Sequence, residues 1–151
     1  MEIFPNSFYS KKENFNRLDE EESGVNYKDL LFDTKTKKIV IKDGKTFITS
    51  IFEEVKQWIF LLIHTEMGKY KVYEDTKFGI TFLYKMKGHE FYSSGFTIAQ
   101  IKDELTEKMG LNKNIKEIID ITIEKAFNSL TFNITVAIND EIVNLEVNLD
   151  E

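Results

Sequence analysis

Two histidines, one candidate carboxylate pair and a short serine run are the places in this 151-residue chain where chemistry could reside. His64 falls in the apolar run that follows Trp58, where a packed neutral imidazole is the more ordinary role than a catalytic base. His89 follows Gly88 in a polar loop and has no histidine or cysteine neighbour at metal-ligand spacing. Ser93–Ser94–Gly95 lacks the Gly-x-Ser-x-Gly frame that exposes a nucleophilic serine. Glycines occur singly, with neither a phosphate-cradling loop nor a dinucleotide fingerprint. Glycoside hydrolysis needs two carboxyls about 5–9.5 Å apart. Only Glu66, with Glu74 or Asp75 across the next turn, offers such a pair, and solvated surface acids are the more ordinary reading of the same residues. The sequence calls for no active site, no cofactor and no metal.

Composition narrows the classes further. Cysteine is absent, which removes disulfides, thiol catalysis and thiolate metal sites together. The net charge of −6 and the scatter of lysines among acids argue against a phosphate-binding face, so no nucleic-acid partner is expected. The start Met-Glu-Ile-Phe-Pro lacks the basic and apolar regions of a signal peptide. Ile59–Ile63 is far shorter than the ~20 residues that cross a bilayer. Synthesis in the cytoplasm and no membrane insertion follow. A hydrophobic fraction of 42% and thirteen phenylalanines supply material for one core.

The elements that would position any site are legible in the patterning. Residues 1–30 are polar and charge-rich and read as an extended or poorly ordered arm. Residues 31–151 read as a single α+β domain. Asp43–Gly44 between two β-type runs predicts a hairpin, since both turn positions need positive φ. Ser50 and Glu53 make a capping box for a helix whose apolar stripe includes Val55, Trp58, Ile59 and Leu62, with Trp58 as a core anchor. Gly68 ends that helix, Tyr70–Tyr73 reads as a strand, and Phe78–Tyr84 is ambiguous between helix and strand. A second helix opens at Phe96 or Thr97 and closes at Gly110.

Three strands with clean period-two alternation finish the chain. Their inward residues are Ile119, Ile121 and Ile123, then Leu130 to Ile138, then Val143, Leu145, Val147 and Leu149. The expected architecture is two helices packed on one face of a mainly antiparallel sheet, with an N-terminal β-hairpin.

The order Trp58-Ile-Phe-Leu-Leu-Ile-His-Thr-Glu-Met-Gly-Lys-Tyr-Lys-Val-Tyr73, followed by Phe78–Gly79, resembles a known family. These are the small baseplate-wedge or sheath-initiator proteins of contractile phage tails, in the branch of PBSX-like prophages and tail-like bacteriocins. The resemblance extends over about residues 31–149. Where other branches carry Glu-Pro-Arg after the second helix, this chain has Asn112–Lys113–Asn114.

The resemblance implies a non-enzymatic structural protein that joins the baseplate and initiates the sheath. Its partners would be baseplate wedge proteins and tail sheath subunits, with multiple copies per particle, in a virion or tail-like particle. Docking is expected on the final strand, at Val143, Leu145, Val147 and Leu149, if that strand forms a sheet edge. A cytoplasmic adaptor or inhibitor of the same fold, and a weak muramidase using Glu66, are the alternatives. The lysozyme label attached to the wider family has no convincing carboxylate pair to support it here.

Overall fold

A computed structural model describes residues 29–86, 95–127 and 129–150. Residues 1–28 of the 1–30 arm, His89 and the Ser93–Ser94 pair lie outside the described residues. The described chain begins with four two-residue strands: β1 (Phe32–Asp33), β2 (Lys38–Ile39), β3 (Ile41–Lys42) and β4 (Lys45–Thr46). The expected turn joins β3 to β4, with Asp43 at φ 53° and Gly44 at φ 71°. This is the primed geometry that matches strand twist. A second turn precedes it. There the Asp33 carboxylate accepts from the Lys35 N–H at 2.8 Å and the Thr36 hydroxyl at 2.9 Å. Those bonds, led by the Lys35 N–H, hold the Asp33 carboxyl below its ordinary value. Leu30 bridges Ile48, Phe32 pairs with Ile39, and Ile41 pairs with Thr46. Each of the three extended segments therefore pairs with the other two.

Helix α1 (Ile51–His64) starts where the capping box places it: Ser50 Oγ accepts from Glu53 N, and Glu53 Oε2 accepts from Ser50 N at 2.8 Å. Val55, Ile59, Leu62 and Ile63 are buried. Gln57 is buried too, and ties the hairpin unit to the helix. Its Oε1 accepts from Phe32 N at 2.6 Å and its Nε2 donates to Leu30 O at 3.2 Å. A buried amide satisfied on both sides costs little. Trp58 is only partly buried and packs against the core's margin rather than within it.

The segment after α1 departs from the expected strand. Lys71–Tyr73 forms a 3₁₀ turn, with Tyr73 N donating to Tyr70 O at 2.9 Å. The physical reason is competition for a partner. The backbone beside Glu66 is taken by Ile80, in a parallel bridge with Ile80 N donating to Thr65 O and Met67 N donating to Ile80 O. Gly79 permits this crossing. Its φ is 110°, and a Cβ there would stand 2.8 Å from the Met67 backbone. The ambiguous Phe78–Tyr84 stretch resolves into a single bridge residue, Ile80, and then a short helix, α2 (Phe82–Met86). The first N–H groups of that turn are capped from a distance. Glu104 accepts from Thr81 N at 2.7 Å and Phe82 N at 2.8 Å.

Helix α3 (Gly95–Met109) buries Ile101, Leu105 and Met109. The final sheet is antiparallel in the order β5 (Glu117–Ala126), β6 (Ser129–Ile138), β7 (Glu141–Asp150). β6 is central, and Leu130, Phe132, Ile134, Val136 and Ile138 are all buried. The alternation in β5 is broken. A bulge between Ile118 and Asp120 turns Ile119 outward, 45% exposed, and lets Ile118 pack on the core in its place. The class is α+β, as the patterning indicates.

Candidate docking site

β7 carries the features of an available edge. It pairs with β6 in unbroken register from Ile138–Glu141 to Ser129–Asp150. Within the described sheet it has no neighbour on its other side. The two-residue turn Asn139–Asp140 makes Ile138 and Glu141 the closing hydrogen-bonded pair. Antiparallel alternation then directs the backbone groups of Val143, Leu145, Val147 and Leu149 to β6. Those of Ile142, Asn144, Glu146 and Asn148 point away from it. The side-chain bonds agree with this parity. Thr135 to Asn144 and Thr131 to Asn148, each 2.8 Å, fall at the closer pairs that lack backbone bonds. The other edge differs: β5 carries the bulge, a device that blunts strand pairing.

A groove runs beside the open edge. One part, of about 430 Å³, is lined by Thr34, Lys35, Lys37, Phe60, His64 and residues 146–150. A second part, of about 230 Å³, adds Lys56, Asn144 and Leu145 and shares Thr34, Phe60, Glu146 and Val147 with the first. Its far wall is built by the i, i+4, i+8 face of α1. His64 stacks on Phe60 with ring centroids 4.0 Å apart, and its Nδ1 lies 2.8 Å from Phe60 O. That bond and stack give His64 a packing role consistent with its place in an apolar helix.

Of the residues singled out for docking, Val147 and Leu149 are in the core, and Val143 and Leu145 pack against it. Their side chains pack internally, with Leu145, Val147 and Leu149 also reaching the groove wall, and what β7 presents along its outer edge is backbone. The lysine rim was missed by sequence reasoning. The 56–60–64 spacing on α1 was visible, but Lys35 and Lys37 reach the same groove only through the turn at Asp33. The carboxylates weighed for hydrolysis are not drawn into a cleft. Glu66 pairs with Lys69 at 3.2 Å, Glu74 and Asp75 are exposed, and neither part of the groove includes them. Among the described residues no helix is long and apolar enough to cross a membrane.

A small α+β module with a regular open strand edge, and with no cluster of potential metal ligands among the described residues, is the class that the fold defines. Within it the chain belongs to the contractile injection system sheath initiator family, which matches residues 28–141. It is thereby placed with structural components of contractile tails, which associate with other tail proteins in a multi-subunit particle. A crystal structure of a Geobacter sulfurreducens protein, provisionally described as a tail lysozyme, superposes with a TM-score of 0.58 at 17% identity. The match covers 70% of this chain and 96% of that one, and at this identity it speaks for the fold. No curated protein matches the chain.

Proposed function

We propose that the chain starts the sheath of a contractile tail, in a phage or a tail-like particle, by offering the outer edge of β7 to a strand of a sheath subunit. It does so from a fixed seat on the baseplate, in several copies per particle, and without catalysis. The observation that carries the reading is the open β7 edge with a groove alongside it. An added strand gains main-chain hydrogen bonds from the outward groups of Asn144, Glu146 and Asn148. Lys35, Lys37 and Lys56 form the groove wall opposite Glu146 and Asp150 of β7, and an incoming segment with acidic residues on that side meets the lysines. The chain is made in the cytoplasm and ends in the particle.

The test is removal of the chain from producing cells, followed by electron microscopy of the tails. Baseplates and tubes without an extended sheath are expected. A sheath of normal length on such tubes, or absence of the polypeptide from purified wild-type particles by mass spectrometry, refutes the reading.

A further inference from the structure

A second surface, remote in the sequence from β7, holds a cation without a counter-charge among the described residues. Lys108 on α3 is 8% exposed. Its Nζ donates to Lys77 O at 2.8 Å and lies 3.2 Å from Met67 Sδ. No carboxylate among the described residues pairs with it. A carbonyl and a weakly accepting thioether satisfy part of an ammonium's donors but neutralise none of its charge. Burying a charge in that state is costly unless a partner completes it.

Lys108 also lines a groove of about 200 Å³, with Trp58, Leu62, Lys77, Phe78 and Leu111. Trp58 meets Phe78 edge-on at 5.7 Å, and Leu111 stands 57% exposed in the groove's wall. In a chain of net charge −6, this groove has two lysines and no acid among its lining residues.

We propose that this groove is the seat on the baseplate: it takes a segment of a different tail protein that carries an Asp or Glu beside a large apolar side chain. The carboxylate pairs with Lys108 and Lys77, and the apolar side chain covers Trp58, Phe78 and Leu111. Copies of a chain of net charge −6 carry like charge, which favours an acid from another polypeptide over one from a second copy. The inference rests on reading the chain as a tail component and names the chemistry of its anchoring partner.

Zero-length carbodiimide coupling of intact purified particles, with peptide mapping by mass spectrometry, tests it directly. Lys77 or Lys108 joined to an Asp or Glu of another tail polypeptide is the expected product. Coupling of either lysine to a second copy of this chain, or to Asp19–Glu22 of the same chain, overturns the proposal. So does the absence of any product from these two lysines when other lysines of the chain do couple.

The variant Leu111→Asp, an exposed change, supplies the groove with its own acid. Its melting temperature is expected to match the parent's, and it is expected to be lost from particles. Recovery of Leu111→Asp in particles at the parental level overturns the proposal. The two surfaces separate cleanly, because Glu146→Pro should enter particles and fail only to start the sheath. A chain missing altogether from wild-type particles defeats both readings. A chain present there and needed for the sheath, with an unoccupied groove, defeats only this one.

Discussion

Proline at Glu146 and proline at Val147 differ by one residue and should differ in kind. Val147 directs its N–H to β6 opposite Phe132, which is fully buried. Proline there removes a ladder bond, leaves a buried carbonyl unpaired and removes the packing of a side chain only 3% exposed. An unpaired buried acceptor costs about 1–3 kcal/mol, and proline inside a paired strand adds a further penalty, for a total of about 3–5 kcal/mol. At this chain length 1 kcal/mol moves the melting temperature by about 2–4 °C, so a fall of roughly 6–20 °C is expected. Glu146 directs its N–H outward, where proline on an edge strand is tolerated. The only described bond lost is Asn148 Nδ2 to Glu146 Oε1 at 3.1 Å, which is exposed. Its loss is offset in part by the reduced entropy of the unfolded chain, leaving a net change within about 1 kcal/mol. Circular dichroism melts of the purified variants check the stability contrast, and electron microscopy of tails checks the sheath. Equal destabilisation by the two prolines would show that the assigned edge parity is wrong. A stable Glu146→Pro chain that still starts a full sheath would show that β7 is not the docking edge.

Two further perturbations probe the scaffold. Gly79→Ala forces a Cβ to within 2.8 Å of the Met67 backbone at a φ of 110°, and should cost at least about 2–3 kcal/mol in denaturant unfolding; a loss under about 1 kcal/mol would mean that the crossing can relax. The Tyr84 hydroxyl donates to Ile63 O at 2.8 Å, and desolvation, helped by Tyr70 and Glu66, pushes its pKa up to about 12. A raised pKa favours the neutral form in the folded state, so this stabilisation is complete below pH 10 and is lost as pH rises from 10 through 12. Tyr84 is half-buried, so solvent screening reduces the effect to about 1 kcal/mol. Melts across that range should fall more steeply for the parent than for Tyr84→Phe, and parallel curves would refute the assignment.

The local elements were largely legible. The Asp43–Gly44 turn, the Ser50–Glu53 box and the alternation of β6 and β7 each rest on neighbours in the sequence, and each forms as patterned. Misreadings arose where distant backbone competed. Tyr70–Tyr73 has the composition of a strand but no partner among the described residues, because Ile80 occupies the place beside Glu66. Ile119 follows the inward period but a bulge displaces it, and a bulge is a property of two strands together. Trp58 lies on the apolar stripe yet at its margin, since Phe78 and Leu111 leave that side open.

The sequence by itself determined the class of fold, the N-terminal cap of α1, the Asp43–Gly44 turn and the family, because these depend on residue types at short spacing; α1 ends at His64, with Thr65 as its C-cap, rather than at Gly68. Only the tertiary structure decided which strand is an open edge, that its apolar residues face inward while its backbone faces out, and that Lys108 is buried beside an aromatic groove with no acid among its described lining residues. Those are relations between segments many residues apart. Hydrogen-bond parity and charge pairing across space leave no periodic mark in the chain.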